Sequence, residues 1–286
     1  MSLRLGESVL ARQPFDNTRD PRCFYASSGH AEAISRLQFM IEDRNMGLGM
    51  LTGEIGCGKT ISRTVLQNKL SPEQYTVVSI ENGMLNFDEL LLEILSQIRR
   101  ERVVSGDYPD RYSRLSAFKQ TLMRRVVEAG RHLVILIDEA QSLHSSDIEA
   151  IKSLTNISSE RRNFITVILI GQPELRQMVK ALPPVDQRIS LRYHLNPLSP
   201  RETLHYIAHR MRSAGLEGPI PISREAVALL AEVSGGIPRE INRLGKLALE
   251  HAIANDQPVI RSSSVRIVAK DLVRQGGLND PSLMAD

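Results

Sequence analysis

The sequence predicts an α/β protein, a three-layer α/β/α core built on a parallel sheet and followed by a small all-helical domain. Two observations carry that expectation. Short, nearly continuous apolar runs alternate with helical patterns over the first two thirds of the chain, and from Asn196 strand-like runs stop while amphipathic segments follow one another.

The apolar runs are Leu48 to Thr52, Tyr75 to Ile80, Leu133 to Asp138 and Phe164 to Gly171, each short enough for a strand and apolar enough to be covered on both faces. Helical patterns over Ile61 to Leu70, Phe87 to Arg102 and Asp147 to Asn156 follow the first three runs. Four segments make up the helical part. Ser199-Pro200-Arg201-Glu202 spells a capping box with proline at the first helical position, ahead of a helix reaching about Ser213. Ser223 opens the next, with Val227, Leu230 and Val233 on one face and Gly235-Gly236 at its end. The last two span Pro238 to Asn255 and Ser263 to Gln275. The expected organisation is an N-terminal extension over 1–30, the α/β core over 31–195, a helical lid over 196–276 and a disordered tail over 277–286.

Composition narrows the class without naming a partner. The 286 residues are 42% hydrophobic and 24% charged, so a sizeable core is available without metals or disulfides. No apolar run is long enough to cross a bilayer, the first residues lack the apolar stretch of a secretory signal, and two cysteines make no disulfide framework; a cytoplasmic setting is expected. A net charge of +3 permits contact with nucleic acid but does not argue for it, and the absence of tryptophan argues against a base-stacking surface. The seven histidines and two cysteines show no ligand spacing; His205 and His209 form a helical pair without the glutamate of a metalloprotease helix.

The segment Gly53-Glu54-Ile55-Gly56-Cys57-Gly58-Lys59-Thr60 fits G-x-x-x-x-G-K-[ST] between a strand and a helix. Glycines let such a loop turn its backbone N–H groups inward around phosphate oxygens, and the helix beginning near Lys59 and Thr60, continuing through Ile61, offers its positive end to the same anion. Lys59 is expected to bridge the β and γ phosphates of ATP, and the Thr60 hydroxyl to ligate Mg²⁺. Cys57 is read as a small residue that suits the turn. The strand from Leu133 ends in Asp138-Glu139, two carboxylates at the carboxyl end of a buried strand, where open α/β sheets place ligands. Asp138 is expected to hold Mg²⁺ through water, and Glu139 to orient and deprotonate the attacking water. A strand between loop strand and acidic strand in sequence, with a glutamate directly after the aspartate, marks the additional-strand, catalytic-glutamate branch of phosphate-loop ATPases. No guanine-reading N-K-x-D segment is present.

The sequence resembles the AAA+ family, and within it the ExeA/GspA-type ATPases associated with bacterial secretion. The likeness runs from about Gln13-Pro14-Phe15 to about Asp256. It rests on Phe24-Tyr25 before a helix, Leu51-Thr52-Gly53-Glu54, Ile137-Asp138-Glu139-Ala140-Gln141, Leu154-Thr155-Asn156, Gly171-Gln172-Pro173-Glu174-Leu175, Gln187-Arg188-Ile189 and Gly235-Gly236-Ile237-Pro238-Arg239. The resemblance implies a homo-oligomeric ring or spiral, hexamer-like, with active sites completed between subunits. It places a polar sensor at Gln172, the lid's sensor arginine at Arg239, and a finger inserted into a neighbour's site at Arg188, with Arg192 as second choice. Secretion members typically continue into a membrane-spanning segment and a peptidoglycan-binding domain, and this sequence shows neither. Two expectations follow: an ATPase that remodels or assembles an envelope machine, cytoplasmic or peripheral at the inner membrane through a partner, or a regulator of transposition loaded on duplex DNA, similar to the TnsC and TniB type. Basic residues open to such a DNA are Arg99, Arg100, Arg102, Arg124, Arg125, Arg161, Arg162, Arg261, Arg266, Lys270 and Arg274.

Overall fold

The computed structural model describes residues 3–6, 8–18, 20–81, 83–159 and 162–277; the expected tail beyond 277 and Arg161 lie outside the described residues. The chain divides into two compact units. One comprises Gly29–Ile55 and Ser62–Leu195; the other comprises Met1–Ser28, Gly56–Ile61 and Asn196–Asp286.

The first unit is α/β. In chain order its elements are α1 (Ser28–Asp43), β3 (Leu48–Gly53), α2 (Lys59–Lys69), β4 (Tyr75–Ile80), α3 (Phe87–Arg99), α4 (Arg111–Leu122), β5 (His132–Ile137), α5 (Ser145–Leu154), β6 (Ile165–Gly171), α6 (Glu174–Lys180), α7 (Pro183–Asp186) and β7 (Ile189–Leu195); β1 (Leu3–Leu5) and β2 (Ser8–Leu10) precede them in the other unit. A π-helical turn, Met123–Val127, extends α4. The five strands β3 to β7 form one parallel sheet in the order β4-β5-β6-β3-β7. All residues of β3, β5 and β6 are buried, which is why they read as unbroken apolar runs. The strand lying between the loop strand β3 and the acidic strand β5 in space is β6; β4, which lies between them in sequence, is at the sheet's edge.

One core joins sheet and helices. Phe87, Leu90, Leu91, Ile94, Leu95 and Ile98 recur at helical spacing on α3 and pack with Phe118, Leu122 and Val126, and with Leu133, Ile135 and Ile137 of β5. Each such side chain contributes about 1.5–3 kcal/mol by leaving water. The start of α3 is fixed twice. Asn86 accepts from the Glu89 N–H while Glu89 accepts from the Asn86 N–H, both at 3.0 Å, and buried Asp147 accepts from the Phe87 N–H at 3.0 Å.

Several elements depart from expectation. The seven residues of β7 were not among the expected strands, because only its ends are buried and Arg192 and His194 interrupt its apolar pattern, as suits an edge strand. The third expected helix starts two residues earlier and α3 ends at Arg99 rather than Arg102, where Arg100 turns the chain with φ of 58°.

The second unit is helical: α8 (Pro200–Ser213), α9 (Arg224–Val233), α10 (Pro238–Ala254) and α11 (Ser262–Arg274). Ser199 and Glu202 form the capping box read in the sequence, and Ser223 accepts from the Ala226 N–H at 3.1 Å to start α9. Among its described residues the N-terminal segment joins this unit. The β1–β2 hairpin places Leu5 and Leu10 with Phe15 in one core containing Ile207, Met211, Leu230 and Leu244. Buried Arg210 clasps that segment by donating to the carbonyls of Pro14 (2.7 Å) and Asp16 (2.5 Å). Among the described residues no helix is long and apolar enough to cross a membrane.

Candidate functional site

β3 delivers a loop at its carboxyl end. Gly56 and Gly58 take φ of 86° and 95°, values that a side chain rarely allows, and α2 begins at Lys59. Glu54 and Ile55 are exposed, Cys57 and Lys59 are buried, and Thr60 and Ile61 are half-buried. The first turn of a helix has N–H groups with no intrahelical acceptor, so the loop and the start of α2 together make an anion-binding geometry. The segment Gly56–Ile61 groups with the helical unit, where the Arg239 N–H donates to the Gly56 carbonyl at 3.3 Å. A Cβ on Gly56 would lie 2.6 Å from the Arg239 Cβ, so both the turn and this approach require glycine. Arg239, expected as a sensor, therefore stands beside the loop.

The carboxyl end of β5 carries Asp138 and Glu139. Asp138 is 3% exposed; its N–H donates to the Ile80 carbonyl at 2.8 Å, and its Oδ1 accepts from the Glu139 N–H at 3.0 Å. A buried carboxylate needs a counter-charge. The Arg63 guanidinium supplies one. It is also 3% exposed, its Nε lies 3.7 Å from Asp138 Oδ2, and its two terminal nitrogens donate to Ser79 Oγ (2.6 Å) and Glu81 Oε1 (2.7 Å).

Glu139 sits in the left-handed region, with φ of 52° and ψ of 35°, at a cost of about 1 kcal/mol. Its carboxylate is held: Oε2 accepts from Gln141 Nε2 at 2.7 Å and, more loosely, from Gln172 Nε2 at 3.5 Å. The other end of the Gln141 amide accepts from the Gln172 N–H at 3.0 Å. A Cβ on Gly171 would lie 2.6 Å from Gln141 Oε1, so that glycine makes room for the amide. Strand register aligns these groups. Thr52 pairs with Gly171 and Leu169 with Ile137, so the ends of β3, β6 and β5 share one edge of the sheet. The arrangement presents one buried acid, one oriented acid and two amides where the loop strand ends.

The structure thus brings Glu139 and Gln172 together and places Asp138 next to them in the chain. It does not bring Arg188 to that edge. Arg188 is exposed just before β7, and Ile189 pairs with Leu48 at the start of β3, about 16 Å from the Gly53 end at the rise of a strand. Arg192, the second choice, is engaged with Asp186 through a 2.7 Å ion pair. Arg63 and Gln141 received no role from the sequence. Arg63 was legible in principle, since it falls one helical turn beyond Lys59 on α2. The Gln141 clamp depends on where β6 lies, which the residues do not announce.

Residues 42–179 match the family model described as AAA domain. Parallel core, loop, paired acids and following helical unit define the class, and the chain belongs to the AAA+ family of phosphate-loop proteins. Within it the chain is a relative of General secretion pathway protein A of Aeromonas hydrophila, 33% identical over 280 residues. That match covers 96% of this chain and 50% of the relative, so the chain spans half the relative's length. Two solved structures share the fold. One is the Aeropyrum pernix ORC2 protein in ADPNP-ADP complexes, at a TM-score of 0.66 and 21% identity over 91% of this chain and 71% of that one. The other is the Drosophila ORC bound to DNA, at 0.66 and 18% over 92% of this chain and 65% of that one.

Proposed function

We propose that the protein binds ATP with Mg²⁺ on the loop Gly53 to Thr60 and hydrolyses it at subunit interfaces of a homo-oligomer, to remodel or assemble an envelope machine of the secretion type. The observation that carries the reading is the held pair at the end of β5: Asp138 buried against Arg63, and Glu139 oriented by Gln141 on the edge where β3 delivers the loop.

The donor set suits a hard divalent cation, because a threonine hydroxyl and a buried carboxylate are oxygen ligands and Asp138 is already compensated as an anion. Thr60 and Asp138 would hold Mg²⁺, which supplies charge neutralisation on the phosphates when bound. Lys59 binds the β and γ phosphates. Glu139 takes the proton of the attacking water, and its carboxylate, fixed by Gln141, needs little reorganisation to do so. Gln172 reads the γ phosphate or its water, and Arg239 reads the phosphates from the helical unit. Arg188, exposed and remote from its own loop strand's carboxyl end, acts on a neighbouring subunit, where a guanidinium stabilises the transferring phosphoryl charge. Kinship with General secretion pathway protein A supports the secretion-type client and a cytoplasmic place, peripheral at the inner membrane through a partner. A DNA-loaded regulator of transposition is the second reading; Drosophila ORC, which shares the fold, is bound to DNA in its solved structure.

The test is a pair of variants. Lys59→Ala should abolish nucleotide binding, and Glu139→Gln should retain ATP while turnover falls by about 10²- to 10⁴-fold, the range for losing a general base. Turnover by Glu139→Gln equal to that of the unchanged protein would remove Glu139 from its role. Mixing Arg188→Ala with Lys59→Ala protein should restore turnover by pairing an intact loop with an intact finger; no recovery argues against a shared site. A rate stimulated by duplex DNA and weakened by salt would favour the second reading.

A further inference from the structure

The edge of the sheet opposite Asp138 and Glu139 holds a recess of about 720 Å³, formed where β4 begins, just before β5, and at the last turns of α2 and α3. Four arginines line it: Arg99, Arg100, Arg125 and Arg131. No aspartate or glutamate lines it. Sequence separates these arginines into two groups; parallel pairing of β4 with β5 brings them together.

Two features set them apart from a solvated basic surface. Arg100 adopts φ of 58° at the end of α3, a position that favours glycine or asparagine, so the guanidinium is kept there at a conformational cost. Arg125 lies on the π-helical turn Met123–Val127, a rare form often found at functional sites, and Arg131 donates to the Arg125 carbonyl at 3.3 Å. Arg99 is held rigidly, through Thr121 Oγ1 (2.8 and 3.0 Å) and Tyr108 Oη (2.8 Å), with Glu101 at 3.9 Å. Arg100, Arg125 and Arg131 form no ion pair among the described residues.

The carboxyl ends of α2 and α3 face this region with roughly half a negative charge each, which accounts for one cation and leaves the others repelling each other. An anion resolves that repulsion. Guanidinium forks bind phosphoryl oxygens in pairs, and several forks around one cavity suit several phosphoryl groups rather than one. The volume falls in the range of small-molecule sites, and the exposed amides of Gln67 and Asn68 add donors. The single lining aromatic, Tyr75, is 8% exposed, so stacking of a base is not offered. We propose that this recess is a second anion site, separate from the loop, that binds an oligophosphate chain.

Calorimetry with inorganic tripolyphosphate tests it, in Lys59→Ala protein of this same chain so that the loop contributes least. Binding should persist in that protein and weaken about tenfold on adding Arg100→Gly and further on adding Arg125→Glu, with the affinity falling as salt rises. Arg100→Gly removes charge while relieving the backbone, so the melting temperature should hold or rise as affinity falls, which separates lost binding from lost folding. No binding by Lys59→Ala protein, or less than about a twofold change in either arginine variant, overturns the proposal. A short duplex oligonucleotide that needs Arg100 and Arg125 while tripolyphosphate neither binds nor competes also overturns it, in favour of a nucleic-acid backbone.

Discussion

Arg63 and Arg210 are almost equally buried, 3% and 5% exposed, one in the α/β unit and one in the helical unit. Their partners differ in kind. Arg63 meets carboxylates, Glu81 and Asp138, whereas Arg210 meets backbone carbonyls of the N-terminal segment and the Tyr206 ring, 5.9 Å from its guanidinium carbon. A buried cation facing acids sets the charge and position of groups at a site; one facing carbonyls ties a segment down. Burial alone therefore does not say whether a charge serves chemistry or packing, and the identity of the acceptor does.

The largest expected contrast comes from replacing each by methionine. Arg63→Met removes one partner of a buried ion pair with Asp138, which costs about 3–5 kcal/mol and should also reduce ATP turnover to background. Arg210→Met removes charge-assisted bonds to neutral carbonyls, about 1.5–3 kcal/mol each, and should lower stability while the folded fraction turns ATP over within about twofold of the original rate. Denaturant unfolding and turnover per nucleotide-loaded protein give both numbers. Equal loss of turnover in the two variants would erase the distinction. Arg63→Lys sharpens it: charge is kept, the fork that reaches both Ser79 and Glu81 is not, and turnover should fall more than stability.

A smaller test concerns a buried polar group that meets no acid. His132, at the start of β5, is pushed down from 6.5 to about 4 by burial first and by the Arg44 charge second. Its Nε2 lies 2.8 Å from Thr166 Oγ1, which is also 3.2 Å from the Met46 carbonyl. The histidine is thus neutral in the fold, with one ring nitrogen at Thr166 and a hydrogen bond to the Asn163 backbone. A depressed value means that the unfolded chain binds the proton more readily. Its contribution is therefore complete above about pH 6.5 and is lost as pH falls toward 4, on the order of 3 kcal/mol in all. Stability measured from pH 7 to pH 4.5 should decline, and His132→Asn should flatten that part of the decline. An unchanged slope in the variant would place the acid sensitivity elsewhere.

What was legible in the residues follows the same division between local and assembled features. The strands β3, β5 and β6 and the caps at Ser199 and Ser223 are written in consecutive residues, because burial on both faces and capping chemistry act locally. The loop was legible because its spacing is itself the geometry. β7 was not, since an edge strand with Arg192 and His194 need not be apolar. Gln141 and the arginine recess were hidden for a different reason: each is made by the order of strands, with β4 beside β5 and β6 between β5 and β3, and no local pattern states that order, whereas Arg63 is one helical turn from Lys59 and only its acid partners depend on that order.

The smallest effect tests whether the helical unit's polar groups are independent. Ser199 caps α8, accepting from the Glu202 N–H at 3.3 Å, while Glu202 accepts from the Ser199 N–H at 3.1 Å and from the Ser28 hydroxyl at 2.7 Å. Burial pushes the Glu202 carboxyl up, yet the bonds from Ser28 and Ser199 outweigh it and hold it at about 2. Ser199→Ala should cost about 1 kcal/mol, a fall of a few degrees in melting temperature, with turnover unchanged. Combined with Arg210→Met, which acts on the same helix more than two turns away, the losses should add within about 0.5 kcal/mol if each group is a separate staple. Greater coupling would mean that cap and clasp form one network, and the helical unit would then resemble the α/β unit in how its buried charge is organised.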